Sequence, residues 1–343
     1  MSPTQNIHDL TDLPAMLSGG FISARKHLTQ PLIIYNYTAR AQYDNVWNAA
    51  TLACRGLIAD EQGNIVARPF TKFFNLEQVT ELPNEPFEVY EKLDGSLGIT
   101  YWVGDQVFIA TRGSFESEQA HEANRMLAER SHAKLDKRLT YLFEIIYPQN
   151  QIVVDYGGKR DLVLLAIIET ATGREMPLAD VGFPIVKRYD GITDVHSLSQ
   201  LHEENAEGFV VRFASGLRVK VKMAEYVRLH RLLTGLSEKM LVQEFLMTGA
   251  DLTPLLDRAP DEFNAWIRAT VADYTERYQT IESAAKTVFD GIKADNRKGY
   301  AQAFTKSPYA PILFKMLDGR PYDQLIWKMI EPQGATTFKR DEV

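Results

Sequence analysis

Cysteine is nearly absent from this chain: Cys54 is the only one among 343 residues. One thiol cannot build an internal disulfide framework or a zinc site made of several thiolates. Long apolar runs are missing too. Nothing approaches the roughly 18 residues that a membrane-spanning helix needs. The N-terminus also lacks a secretory apolar segment, so a soluble cytoplasmic protein with no membrane partner is expected. Neither a GxxxxGKS/T phosphate loop nor an HExxH zinc motif is present. Ser283-Ala284-Ala285-Lys286 has the SxxK spacing, but no SDN or KTG string accompanies it, and it reads as part of a helix. Asn36-Tyr37-Thr38 fits the glycosylation pattern, yet without a signal segment it is read as a chance match. Basic charge is in deficit, with 38 Lys and Arg against 45 Asp and Glu. A net charge of −7 argues against a protein that coats nucleic acid non-specifically.

The chain is long enough for two domains, and its 45% hydrophobic content suffices for their cores. Leu97, Ile99, Tyr101 and Val103 alternate with other residues, Gly104-Asp105 supplies a two-residue turn, and Val107 and Ile109 resume the alternation, which predicts a hairpin. Phe87–Tyr90 reads as a preceding strand. Glu118 to Arg138 reads as a helix, and Tyr141–Ile146 and Leu162–Glu169 as buried strands. Phe209–Phe213 and Leu217–Val221 pair around Ala214-Ser215-Gly216. Beyond Glu225 the texture becomes helical: Val271, Tyr274, Tyr278, Ile281, Ala285 and Val288 recur at steps of three and four. Further helices are predicted at Ser237–Thr248, Pro260–Arg268 and Tyr322–Ile330, and the boundary is placed near residues 225–235. A basic run of Arg212, Arg218, Lys220, Lys222, Arg228, His230 and Arg231 offers a local phosphate-binding patch in an acidic chain.

Chemistry concentrates in Glu91-Lys92-Leu93-Asp94-Gly95-Ser96. A lysine leaving a strand can simply begin a turn. It can also attack the α-phosphate of a nucleotide and form a phosphoramidate. A lysine attacks only as the neutral amine. Bringing a free lysine from a pKa of about 10.4 to near 8 takes roughly 3 kcal/mol from neighbouring cations and partial desolvation. Such a site needs more cations, and carboxylates to hold a metal.

Lys92-Leu93-Asp94-Gly95-Ser96 resembles the first motif of the covalent nucleotidyltransferases, the superfamily of DNA ligases, RNA ligases and capping enzymes. Thr111-Arg112-Gly113-Ser114, Phe143-Glu144-Ile145-Ile146, Glu207-Gly208-Phe209-Val210 and Lys220-Val221-Lys222 resemble the second to fifth motifs, in order. Tyr35-Asn36-Tyr37, Cys54-Arg55-Gly56, Lys72-Phe73-Phe74-Asn75-Leu76, Ser117–Ala120 and Tyr147–Val153 resemble the phage-type single-strand RNA ligases. The likeness covers about residues 31–231 and fades through the helical part.

The resemblance implies an α+β nucleotidyltransferase (ATP-grasp-like ligase) domain with antiparallel sheets over residues 1–228. An all-helical domain over 229–343 would follow and help select the RNA. It implies Lys92 as nucleophile, Arg55 and Lys72 on the triphosphate, Tyr35 and Phe74 at the nucleotide pocket, and Lys220 and Lys222 on the phosphates. Glu144 and Glu207 would bind the nucleotide or hold magnesium or manganese, with Asp94 in an outer shell; Gly95, Arg112 and Tyr226 would be essential. Arg112 stands where the family more often has lysine, a planar fork in place of a point charge. ATP is the implied substrate, with RNA 5′-phosphate and 3′-hydroxyl ends, cleaved tRNA among them, as partners of a monomer; the setting would be the host cytoplasm for a phage protein. The alternatives are a capping guanylyltransferase or DNA ligase, and a relative that binds nucleotide or RNA without catalysis. Capping enzymes and DNA ligases normally carry a β-rich OB domain after the fifth motif, where this chain turns helical. Asp251, in Gly249-Ala250-Asp251, is either a further metal ligand or a plain turn.

Overall fold

The computed structural model describes residues 6–130, 134–201, 203, 205–234, 236–258 and 263–332. The chain divides into two compact units, Met1–Leu233 and Thr234–Val343. The first is the antiparallel α+β body expected from the sequence, and the second is helical among its described residues.

The first unit opens with an antiparallel sheet of β1 (Ile22–Lys26), β2 (Leu32–Tyr37), β3 (Arg55–Asp60) and β4 (Ile65–Ala67), in that order. The chain then runs through β5 (Phe74–Asn75), β6 (Phe87–Lys92) and the predicted hairpin β7 (Ser96–Val103)–β8 (Gln106–Thr111). After a helix at Glu118–Ala128 come β9 (Leu139–Ile146), β10 (Asp161–Glu169), β11 (Glu175–Met176), β12 (Arg188–Tyr189) and the hairpin β13 (Gly208–Phe213)–β14 (Arg218–Lys222). These form a middle sheet of order β11-β10-β9-β7-β8 and a third of order β12-β6-β13-β14-β5. Phe143, Ile145 and Leu164 pack on one side of the middle sheet with Ala123, Met126 and Leu127 of the helix. Leu142, Ile99 and Ala166 pack on the other side with Leu32, Ile34 and Ile58 of the first sheet.

The third sheet is the one that positions the site, because its two faces differ in chemistry. Side chains alternate along a strand. Val89, Phe209, Val211, Phe213, Val219 and Val221 therefore share one buried apolar face. The opposite face carries Glu88, Tyr90 and Lys92 on β6, Arg212 on β13, and Arg218, Lys220 and Lys222 on β14. The link from β6 to β7 is only Leu93-Asp94-Gly95, so the third and middle sheets are pinned together where Lys92 ends its strand.

Several element boundaries differ from expectation. The helix predicted to reach Arg138 ends at Ala128, and residues 131–133 lie outside the described set. The Asp136 carboxylate accepts from the Arg138 N–H at 2.9 Å, and the Asp136 N–H donates to the Tyr141 hydroxyl at 3.0 Å. Such local side-chain bonding favours a turn over a helix, and the chain enters β9 at Leu139. In the second unit, the segments predicted separately around Arg268 and Val271–Val288 are one helix, Phe263–Gly291, since no glycine or proline interrupts the sequence before Gly291; Pro260 lies outside the described residues. Within Ser237–Thr248 the helix begins conventionally, Ser237 accepting from the Met240 N–H, then widens so that the Met247 N–H reaches the Val242 carbonyl. Phe304, Ile312, Leu313, Ile326 and Ala285 form the core of the helical unit. Asp251 caps a turn by accepting from the Thr253 N–H and hydroxyl at 2.9 and 2.7 Å. The turn is thus the reading that its contacts support.

Candidate active site

Strand register brings the reactive groups together. Gly208 of β13 stands between Lys92 of β6 and Lys222 of β14, paired with both. Glu207, one residue earlier, reaches across this row. Its Oε2 lies 2.7 Å from Lys92 Nζ and its Oε1 lies 3.0 Å from Lys222 Nζ. Burial alone would push the Glu207 carboxyl up, but the two ammonium groups outweigh it and hold the carboxyl below its ordinary range. A carboxylate this buried stays ionised only because both oxygens meet a cation.

Gly208 makes this row geometrically possible. Its φ is +145°, and a Cβ placed there would lie 2.0 Å from the Val221 carbonyl oxygen. Gly95 serves the same purpose one turn away: a Cβ there would stand 2.6 Å from the Ile145 carbonyl oxygen and 3.1 Å from Glu144 Cγ. The Gly95 N–H instead donates to Glu144 Oε1 at 3.0 Å. Glu144 lies on β9 between Val163 and Leu97. Burial pushes its carboxyl up to about 8, with the Lys92 charge opposing and the Glu207 charge adding to the rise.

Asp94, expected to add an outer-shell metal contact, is held by hydrogen bonds in this structure. It is buried, and its Oδ2 accepts from the Val153 and Val154 N–H groups, both at 2.8 Å. Its Oδ1 accepts from the Tyr226 hydroxyl at 2.8 Å, while the Asp94 N–H donates to the Tyr156 hydroxyl at 2.7 Å. With these donors on both oxygens, Asp94 ties the turn after Lys92 to the 153–156 loop and to the helix that follows β14. Tyr226 is thereby placed at the site, as the sequence led one to expect, but through Asp94. Among the described residues no cluster of three or more His, Cys, Asp or Glu side chains could hold a metal by itself.

A second group forms around Lys72. β5 runs parallel beside β14, pairing Phe74 with Val219 and Asn75 with Lys220, so the Lys72–Phe74 segment is set next to the lysine-bearing strand. Lys72 is 7% exposed. Its Nζ donates to Gln42 Oε1 at 3.3 Å and lies 5.2 to 5.4 Å from the ring centres of Tyr37, Trp47 and Phe74. Arg112 donates to the Tyr37 hydroxyl at 3.2 Å and sits over the same ring, a geometry suited to a guanidinium. Arg55 lies over Phe73 at 5.2 Å, and its buried Nη1 has no hydrogen-bond partner. Gly56, with φ at +97°, allows the approach of Ile99 and the Arg112 backbone.

Tyr35 is the sequence-derived pocket residue that does not join this group. It is packed with Cys54, Leu57 and Ala59 in the core behind the first sheet, and burial followed by the nearby Cys54 pushes its hydroxyl up. Register along β2 shifts between Tyr35 and Asn36, and Tyr37, in the same Tyr-Asn-Tyr string, is the tyrosine beside Lys72. Sequence reasoning also missed Trp47, Gln42 and Tyr156. Only a tertiary arrangement brings them in, since none belongs to a chemically suggestive string.

The RNA ligase family matches residues 53–226, just over half of the chain. A Thermovibrio ammonificans protein assigned by name to the RNA ligases is 30% identical over 57% of this chain, and the chain spans 58% of that protein. An RNA ligase of Rhodothermus phage RM378 is 23% identical over 76% of this chain and 77% of its own length. Among solved structures, a Naegleria gruberi RNA ligase with pyrophosphate is 19% identical with a TM-score of 0.34, over 43% of this chain and 52% of that one.

Two predictions follow from the site's geometry. Gly208→Ala should lower the unfolding free energy by about 3 kcal/mol or more, because the new methyl collides with backbone; a thermal melt identical to wild type would contradict this. For Glu144 the folded carboxyl titrates above the unfolded one, so the protonated form favours the fold. Its contribution is complete below about pH 4 and is lost as the pH rises toward 8. In a chelator-containing buffer, Glu144→Gln should therefore lose less stability than wild type between pH 5 and 8. Equal pH slopes in denaturant titrations would count against that burial.

From the motif order, the site geometry and the family match together, the chain belongs to the RNA ligase family.

Proposed function

We propose that this protein is an ATP-dependent RNA ligase that becomes adenylylated on Lys92. The observation that carries the reading is the row Lys92–Gly208–Lys222 with Glu207 bridging its two amines. The reaction needs an amine at the end of a strand, held in a cationic surround and backed by a carboxylate. In the first step Lys92 Nζ bonds to the α-phosphorus of ATP as the bond to the β-phosphate oxygen breaks. Pyrophosphate leaves and the nitrogen gives up its proton. Glu207 already contacts that amine and keeps it aimed. Lys222, Lys220, Lys72 and Arg55 are the cations that would offset charge on the triphosphate, chiefly by positioning and neutralisation.

Next, an oxygen of an RNA 5′-phosphate attacks the lysyl adenylate, breaking the P–N bond and forming a phosphoanhydride. A 3′-hydroxyl then bonds to the RNA 5′-phosphorus and releases AMP. Cleaved tRNA is one substrate with suitable ends. The donors available for a divalent cation are hard oxygens. Burial chiefly holds the Glu144 carboxyl high, and a cation beside it would offset that cost. Glu144 would be the residue to hold magnesium, or manganese in its place, since a hard cation prefers oxygen donors. The ion would supply further charge neutralisation there. Asp94, held by its own hydrogen bonds, would act on that shell from outside.

The test is incubation of the full chain with radiolabelled ATP and magnesium, followed by denaturing electrophoresis. Wild type should carry an acid-labile AMP label, and Lys92→Arg should carry none, a loss of more than about 10³-fold in a reaction that lacks its nucleophile. Labelling by GTP in preference to ATP would indicate capping chemistry, and no label with either nucleotide would leave a binding protein.

A further inference from the structure

The polar face that carries Lys92 and Lys222 continues away from them to a second concentration of positive charge. Arg218 and Lys222 stand on one face of β14 four residues apart, roughly 13 Å at the rise of a strand. Beside Arg218 opens a cavity of about 530 Å3 lined by Arg68, Arg174, Arg212, Arg218 and Phe70, with Glu175 the one acidic side chain among its described lining residues. In a chain of net charge −7, four arginines around one cavity are a marked local excess. Three of them are also held by neighbours, while Arg174 is exposed and lies 3.7 Å from Glu169. Arg218 donates to Glu175, Arg212 lies 3.3 Å from Glu175 and 2.9 Å from Glu88, and Arg68 donates to the Thr170 carbonyl at 3.0 Å. The Arg212 Nε contact to Glu175 is an ion pair at 3.3 Å without hydrogen-bond geometry.

An alternating stack leads from this cavity back toward the active site. The Arg218 guanidinium lies 4.5 Å over the Phe70 ring. Phe70 meets Phe73 edge-on at 6.1 Å, and Arg55 lies over Phe73. Fixed guanidinium groups combined with an aromatic ring suit a phosphodiester backbone carrying bases, through charge-assisted hydrogen bonds and stacking. The volume is in the range of a site for one small ligand. We propose that this cavity binds the backbone of the single-stranded RNA substrate, one or more nucleotides away from the reacting end. The proposal rests on the ligase reading above and assigns that ligase a subsite distinct from its nucleotide pocket.

The experiment compares wild type, Arg174→Glu and Arg174→Lys as full chains. The Arg174 side chain is 67% exposed, so the substitutions should not unfold the protein. Two readouts separate the proposal from the reading beneath it: the rate of AMP-adduct formation without RNA, and the KM for a 5′-phosphorylated RNA long enough to reach the cavity, measured over a salt series. Arg174→Glu should raise that KM about tenfold. It should also flatten the slope of log affinity against log salt by about 0.7, the value for one lost single-strand phosphate contact. Arg174→Lys should restore most of both, and a dinucleotide donor should show little change. An RNA KM and salt slope equal to wild type, with adduct formation intact, would overturn the subsite alone. A rise in the KM for ATP instead of RNA would overturn it in favour of a triphosphate role, whereas a wild-type protein that forms no adduct would remove the ligase reading itself.

Discussion

A single carboxylate organises the catalytic end of this molecule. Glu207 is buried, and it remains charged because Lys92 and Lys222 meet its two oxygens at 2.7 and 3.0 Å. Removing either amine would leave a buried charge half compensated, which is costly. The backbone is shaped around this contact. Gly208 takes a conformation that side chains rarely adopt so that β13 can lie between the two lysine-bearing strands, and Gly95 lets the next strand pass against β9. The arrangement aims the Lys92 amine before any nucleotide arrives.

Asp94 supports that row from behind. Its bonds to Val153, Val154, Tyr156 and Tyr226 join two separate segments to the turn that follows Lys92. The acid of the KxDG string is therefore a brace in this structure, and the hydroxyl of Tyr226 is a link in that brace. A change at Tyr226 would reach Lys92 through Asp94 and the turn, and would reach Lys222 through its ring contact.

The motifs made much of the site legible in the sequence. Lys92, Gly95, Glu144, Glu207 and Lys222 lie in strings whose residue types already suggested charge and close backbone approach, and period-two alternation placed Lys220 and Lys222 on one face. The strands β6–β10, β13 and β14 were equally plain, each a short apolar or alternating run, whereas β1–β5, β11 and β12 were not read from the sequence. The string Tyr35-Asn36-Tyr37 alone does not show which ring joins Lys72. The metal role first given to Asp94 depended on its charge, and its three hydrogen-bonded neighbours lie about sixty or more residues away in the chain. The basic run at residues 212–231 hid a division. Lys222 meets Glu207, Arg212 and Arg218 meet Glu175 at the other end of the strand face, and Arg228 pairs with Glu225 on the following helix.

Lys92, Lys220, Lys222 and Lys72 are the lysines assigned to the proposed site, and the account requires that only the first become covalently modified. Peptide mapping of the wild-type protein by mass spectrometry after reaction with ATP and a divalent cation addresses this directly. The account predicts adenylate on the peptide carrying Lys92 and on no other. Adenylate on Lys222 or Lys72, with the Lys92 peptide unmodified, would contradict it.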